Sequence, residues 1–433
     1  MSKVAINVHQ VTRVEGHGNI ILNARDGKIE ELRWEVPESP RLFEAMVKGR
    51  RWDEIQHIVS RICGICSIGH TLASLKATED AFGIQPSEQT VLLRKLLLNA
   101  ENLQSHVLHA YFLAAPDFLG VGSVIPLAKS HPEVVLCALR LKRLANDVCD
   151  WIGGRTTHPV AALVGGFGKL PRASELKEFK KKCEEGLKDL DFTAKVFSTL
   201  NIPDFTRETE YISLTDATEY ALLNGVIKSS DAGTYPAGDY LKVTNEYCVP
   251  HSTAKFSRNK RDAYAVGALA RFNNNAGQLL PRAREVAGAL GLKAPCYNPF
   301  MNTVAQVVEA VESVQQCINL MDTLLSRGIK EGPILVEACQ GKVKAGRGIG
   351  AVEVPRGILF HDYTYDKDGL ITDCNCIIPT NQNHANIQKD FEALVPKVLD
   401  RPQDEIRLML EMLVRSYDPC ISCSAHLLKV KFV

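Results

Sequence analysis

The sequence lacks any long uninterrupted apolar run. Its most hydrophobic-looking stretch, Val91 to Ala115, is broken by Arg94, Lys95, Asn99, Glu101, Gln104 and His106. Those side chains are costly against lipid, so the stretch is predicted to be a buried helix and no membrane span is expected. The opening segment MSKVAINVHQ has no basic stretch followed by an apolar run and a small-residue cleavage site. No Sec-type signal is read, and a cytoplasmic location is expected. An excess of charge is missing too, with 51 Lys+Arg against 50 Asp+Glu, which removes any general attraction for nucleic acid or an anionic membrane. Internal repeats, low-complexity tracts and long linkers are absent, so one integrated unit is expected rather than several.

Cysteine, by contrast, is plentiful. Thirteen cysteines in a 433-residue chain is an odd number, and without a secretion signal this argues for free thiols and metal ligands over a disulfide framework. Cys137, Cys149, Cys183, Cys248, Cys296, Cys317 and Cys339 are isolated, mostly in apolar or helical patterns, and read as small buried hydrophobes. Cys374 and Cys376 fall on one face of a likely strand, where a structural reading is as good as any other.

The fold class read from periodicity is mainly α with small β elements. Strands are predicted over Val4 to Val8, Asn19 to Asn23 and Lys28 to Val36, with Asp26-Gly27 as a hairpin turn. Helical spacing then runs through Arg41 to Ala81, Ser87 to Ala115, Glu133 to Ile152, Ala173 to Leu200, Arg258 to Leu290 and Val304 to Arg327. A helix-bundle core beside a small N-terminal sheet follows. Past Gly328 the pattern loosens into loops and strands at 348–359 and 370–378, before a closing helix from about Asp404 to Tyr417. The mixed-charge run Glu175 to Asp189 reads as a solvated helix face.

Two motifs carry chemistry. Arg61-Ile62-Cys63-Gly64-Ile65-Cys66, trailed by His70, stands near the front, and Asp418-Pro419-Cys420-Ile421-Ser422-Cys423, trailed by His426, near the end. In each, two thiols can converge on one ion, and four thiolates make a soft site suited to zinc, iron or nickel rather than magnesium or calcium. A structural zinc site is the bland alternative. It usually belongs to a small metal-dependent module, whereas these halves flank a chain large enough to fold without metal.

Together with Arg13-Val14-Glu15-Gly16-His17, the stretch Gly153-Gly154-Arg155 to His158-Pro159, Gly165-Gly166-Phe167, Pro355-Arg356-Gly357, and Pro379-Thr380 ahead of Asn383, these motifs give a sequence that closely resembles the large subunit of the nickel-iron hydrogenases. The resemblance spans essentially the whole chain. It implies the hydrogenase large-subunit fold and a catalytic subunit that splits or forms H2 at a Ni-Fe(CN)2(CO) centre. By that resemblance Cys63 and Cys420 bind nickel terminally, while Cys66 and Cys423 bridge nickel and iron. Glu15 takes the proton from the terminal Cys420. Arg356 stands over the open face, and either it or Cys420 is the first proton acceptor. Glu44 and His426 hold magnesium, His70 bonds a bridging sulfur, Thr380 bonds a cyanide, and Asp418 orients Arg356.

The resemblance further implies that residues 427–433 form a tail removed by a maturation peptidase, leaving a single domain over 1–426. A chain that keeps the tail is expected to lack nickel. No further cysteine cluster suits an iron-sulfur cluster, so electrons are expected to leave through an iron-sulfur small subunit. Ser105 stands where many membrane-bound relatives carry aspartate, which points to the cytoplasmic branch coupled to NAD(P), flavin or deazaflavin, or ferredoxin. The rival readings are a non-catalytic hydrogen sensor and a structural metal-binding protein. The quinone-site subunit of respiratory complex I is disfavoured because it lacks the paired cysteines.

Overall fold

The computed structural model describes residues 3–330 and 339–425. The N-terminal strands β1 (Lys3–Val8), β2 (Asn19–Arg25) and β3 (Lys28–Glu35) form an antiparallel sheet in sequential order. The hairpin between β2 and β3 turns at Asp26 and Gly27, both with positive φ, as a two-residue primed turn requires. Alternation along β2 buries Ile20, Leu22 and Ala24. Trp34 on β3 is also buried, and its indole donates to His384 Nδ1 at 2.9 Å.

The stretch predicted to be helical from Arg41 to Ala81 is interrupted. Short helices Phe43–Met46 and Ile55–Val59 and a 3-10 turn Ser60–Ile62 precede α1 (Ser67–Phe82). Cys63 is extended, and the amides of Ile65 and Cys66 point to its Sγ at 3.3 and 3.0 Å. With those donors turned onto sulfur, the helical ladder cannot run through the motif. Ser87 caps α2 (Glu88–Val107), accepting from Thr90 N, and a π-helical turn Leu108–Ala114 follows. The expected bundle forms from α2, α3 (Pro132–Gly153), α4 (Ala173–Ser198) and α5 (Met301–Arg327).

Two regions depart from the sequence reading. The expected helix Arg258 to Leu290 is instead a pair of short strands followed by helices Ala268–Asn275 and Pro281–Ala289. Pro281 cannot continue a helix from the residues before it, and Leu280 is accordingly extended. A four-stranded sheet of β4 (Glu210–Thr215), β5 (Val226–Ser229), β6 (Gly233–Tyr235) and β7 (Tyr264–Ala265) has no counterpart in the periodicity.

The strands expected at 348–359 and 370–378 become an antiparallel sheet of β8 (Gly346–Val354), β9 (Gly357–Tyr365) and β10 (Ile371–Ile377). Helix α1 lies directly on β8. A Cβ at Gly348 would stand 2.1 Å from Ala77 O, and one at Gly350 1.9 Å from Ala73 O, so only glycine admits this approach.

After β10 comes α6 (Pro379–Val398), then α7 (Gln403–Ser416), the expected closing helix. No helix among the described residues is long and apolar enough to cross a membrane. In the charged face of α4, Lys182 pairs with Glu178 and Lys180 with Asp322 of α5, in keeping with a solvated surface. His426 and the segment 427–433 lie outside the described residues.

Candidate metal centre

The two Cys-x-x-Cys motifs meet through backbone and arginine contacts. Glu15, in the loop after β1, forms a parallel bridge with Cys420, and Ile421 N donates to Glu15 O at 2.9 Å. Gly16 follows with φ +88°, and a Cβ there would lie 2.6 Å from Ser422 N. Arg41 joins the other side, its amide donating to Ala425 O and its guanidinium to Ile62 O and Arg61 O. These contacts bring sequence positions near both ends of the chain into one buried place.

All four motif cysteines are buried there. Cys63 Sγ lies 3.6 Å from Cys420 Sγ. The sulfurs of Cys63, Cys66 and Cys423 lie within 4.8 Å of one another, as do the ligand atoms of Glu15, Cys420 and Cys423. Cys420 and Cys423 stand sulfur against sulfur within their Cys-x-x-Cys turn, and as thiolates both can ligate one metal group. The remaining eleven cysteines are free. Four buried sulfurs gathered at one place are the donor set of a thiophilic metal, and the residues present therefore fit a nickel-iron group.

Charge at the cluster is balanced by Arg356. It sits in the turn between β8 and β9, where Val354 pairs with Gly357, and Gly357 takes φ +134°. Its Nε donates to Asp418 O at 2.6 Å and Nη2 to Asp418 Oδ1 at 2.7 Å, while Nη1 reaches Ser105 Oγ at 3.4 Å. Gln306 Nε2 holds the other carboxylate oxygen at 3.0 Å. Burial opposes the charge, but Asp418 and the thiols of Cys66 and Cys63 outweigh it and keep the guanidinium protonated. The Cys63 thiol is pushed up by burial, yet a hydrogen bond from Cys66 and the field of Arg356 bring it below its ordinary value. Cys66 is correspondingly raised, first by that hydrogen bond and then by burial.

Glu15 Oε2 stands 3.2 Å from Cys420 Sγ and accepts from Ser422 N at 3.1 Å. Thr380, in the first turn of α6, accepts from Cys420 N at 3.0 Å, which leaves its hydroxyl proton for another acceptor. His70 lies one turn past Cys66, with its amide on Cys66 O, and its Nδ1 is 3.0 Å from His361 Nε2. Glu44 stands outside the cysteine cluster. It is buried, accepts from Cys376 N at 2.9 Å, and has its carboxyl raised by desolvation. Its expected companion His426 lies outside the described residues. Cys374 and Cys376 sit together with sulfurs 3.8 Å apart, on one face of β10 and away from the cluster.

Sequence reasoning missed Glu101. Its two carboxylate oxygens accept from Ile68 N and Gly69 N at 2.7 and 2.9 Å, closing the first turn of the helix that Cys66 begins. The available signal was that Glu101 is the one acid of α2 beyond its first turn, set among residues of helical apolar spacing.

Comparison with known proteins agrees with this geometry. The family model described as nickel-dependent hydrogenase matches residues 41–133 and 240–426. The alpha chain of sulfhydrogenase 1 from Pyrococcus furiosus is 32% identical over 427 residues, covering 98% of both chains. One subunit of the F420-non-reducing hydrogenase of Methanothermobacter marburgensis is 28% identical, covering 98% of this chain and 95% of that one. Among solved structures, an NAD+-reducing [NiFe]-hydrogenase in the H2-reduced state superposes with a TM-score of 0.78 at 27% identity, covering 98% of this chain and 100% of that one. With a relative above 30% identity along nearly its full length and the cysteine motifs gathered at one buried site, this chain belongs to the nickel-dependent hydrogenase family.

Proposed function

We propose that this chain is the H2-activating subunit of a nickel-iron hydrogenase, carrying out reversible heterolytic cleavage of H2. The observation that carries the reading is the convergence of Cys63, Cys66, Cys420 and Cys423 beneath Arg356 and beside Glu15. Cys63, Cys66, Cys420 and Cys423 would together hold the nickel-iron group through their thiolates. When bound, the nickel-iron group supplies the two-electron chemistry of H2.

The chain's own residues handle the proton and the charge. Arg356, held along one edge by two bonds to Asp418, offers a fixed cation to polarise what enters the pocket. Its permanent protonation makes it a poor base, so Cys420 receives the proton. Glu15 Oε2, 3.2 Å from Cys420 Sγ, takes it on towards solvent, a task suited to a carboxylate. Thr380 would have a hydroxyl proton to offer a cyanide of the bound group, and His70 would donate to one of the cysteine sulfurs that hold it. Glu44 provides the magnesium site with His426.

Both relatives are named as single subunits of hydrogenases, which supports a hetero-oligomer here. We assign the electron outlet to an iron-sulfur small subunit, with a soluble acceptor such as NAD(P) or ferredoxin beyond it, in a cytoplasmic setting. A peptidase removes 427–433. Infrared spectroscopy of the purified complex, alongside metal analysis, tests the reading. Bands of iron-bound carbonyl and cyanide with stoichiometric nickel are expected, and zinc alone defeats it. H2-dependent turnover then separates an enzyme from a sensor.

A further inference from the structure

The main chain leading into Arg356 is gripped from behind by a second buried arginine. Arg271, on the helix Ala268–Asn275, donates from Nη1 to Val354 O at 2.8 Å and from Nη2 to Pro355 O at 2.9 Å. These are the two carbonyls immediately before Arg356. The same guanidinium donates from Nε and Nη2 to the carboxylate of Glu309 on α5, at 2.7 and 2.6 Å, and from Nη1 to Glu353 Oε2 on β8 at 2.8 Å. A guanidinium has five N–H groups, and all five are engaged here. The arginine and both acids are at most 1% exposed.

Burial opposes the charge on Arg271, but Glu309 and Glu353 outweigh it and keep the guanidinium protonated. Burial likewise works against the Glu309 carboxylate, and Arg271 outweighs it. Glu309 also accepts from the Tyr220 hydroxyl at 2.6 Å and meets His106 Nε2 at 2.7 Å, while Glu353 accepts from Leu214 N at 2.7 Å. Two carboxylates on separate elements thus fix the plane of the guanidinium, and the N–H left on each Nη points at the turn. The Arg356 carbonyl is confined as well. A Cβ at Gly267, the N-cap of the helix that carries Arg271, would lie 3.3 Å from Arg356 O.

We propose that Arg271 is a positioning residue for H2 activation, which sets where the Arg356 guanidinium stands beside the cysteines by bonding the carbonyls of Val354 and Pro355. The inference rests on reading those cysteines as a nickel-iron site and Arg356 as the cation that acts there. Asp418 and Ser105 aim the tip of Arg356, but that aim depends on where its backbone begins. A positioned group loses much of its effect when displaced by about 1 Å. Arg271→Lys would keep the charge, yet an ammonium on a flexible stem has too few donors to serve two carboxylates and two carbonyls in one plane.

A double-mutant cycle in the purified holo complex tests this, with H2-dependent turnover counted per nickel and the infrared bands of iron-bound carbonyl and cyanide as a second readout. Arg271→Lys is expected to lower turnover per nickel by about 10²-fold and to displace the bands, because the cation beside the group has moved. In an Arg356→Gln background the same substitution should cost no more than about 2-fold, the usual error of additivity, and leave the bands where Arg356→Gln put them. Undiminished turnover in Arg271→Lys would overturn the inference. So would an equal fractional loss in both backgrounds, which marks a general structural role. If Arg271→Lys does not load metal, the cycle is run with Glu353→Gln, which leaves Arg271 paired with Glu309. A loss confined to the chain that keeps Arg356 then supports the inference, and an equal or absent loss overturns it. If Arg356→Gln by itself changes neither readout, the assignment of Arg356 fails instead, and an unsubstituted complex without such bands defeats the metal reading first.

Discussion

Glu15 Oε2 and Cys420 Sγ lie 3.2 Å apart although 405 positions separate them along the chain. The contact is held by the backbone bridge between the same two residues and by Ser422 N on the same carboxylate oxygen. A carboxylate so fixed beside the Cys420 sulfur is placed for proton transfer. Glu15→Gln keeps the shape and the acceptor for Ser422 N but loses the base. We expect H2/D2 exchange and turnover to fall by about 10²- to 10⁴-fold, the usual worth of a positioned acid-base group, with nickel and iron retained. Unchanged exchange would remove Glu15 from the proton route.

Arg356 and Asp418 form a buried ion pair in which each is 2% exposed. Arg356→Lys keeps the charge but loses the planar fork that contacts Asp418 twice and Ser105 once. Turnover should drop by roughly 10²- to 10³-fold, as when one preorganised donor is removed, with metal content preserved. Asp418→Asn leaves the guanidinium without its counter-charge, at a cost of about 3–5 kcal/mol of stability. A lysine variant with undiminished turnover would show that the fork has no part in catalysis.

Gly350 lets the backbone of α1 rest on β8, and Cys66 stands at the N-cap of α1. Gly350→Ala would force a Cβ to within 1.9 Å of Ala73 O. The main chain cannot yield there as a flexible side chain would. A loss of about 3 kcal/mol is expected for such overpacking, together with reduced metal loading. Thermal melts and metal analysis check both, and a melting temperature matching the unsubstituted protein would show that the helix shifts freely.

Glu312, buried on α5, accepts from Leu280 N at 2.8 Å and Gln316 Nε2 at 3.0 Å. Burial raises its carboxyl from 4.5 to about 7, with Glu309 adding to the rise. Because the folded value is the higher one, the folded state binds this proton more tightly. Its contribution is fully present below about pH 4.5 and is lost as pH rises through about 7. The loss is on the order of 3 kcal/mol. Glu312→Gln, which stays neutral, should therefore stabilise the protein at pH 8 but not at pH 4. Melting curves of both proteins across that range decide it, and a difference independent of pH rejects it.

The legible parts of the fold are those whose periodicity is hydrophobic. The N-terminal sheet, with its Asp26-Gly27 turn, and the long bundle helices follow the sequence reading closely because alternating or helical burial of apolar side chains produces both pattern and structure. Helix α6 was hidden for the opposite reason. Its buried face holds Thr380, Asn381, Gln382, Asn383, His384 and Asn386, which hydropathy counts as surface. Each is satisfied from a different element: Gln382 donates to Ile358 O, Asn383 accepts from Val266 N, and Asn381 donates to Ser424 O. Only assembled neighbours make such a helix stable.

The sequence by itself determined the ligand chemistry. Four cysteines in two Cys-x-x-Cys pairs are soft donors wherever they fold, and the accompanying motifs name the family. What only the tertiary structure decided is what surrounds those donors: that Glu15 reaches Cys420, that Asp418 and Ser105 share Arg356, that Glu101 closes the helix behind Cys66, and that His361 and Tyr363 stand behind His70. Covalent chemistry is written residue by residue, but hydrogen-bond direction, charge pairing and desolvation depend on distances between segments far apart in the chain, and those distances exist only once it has packed.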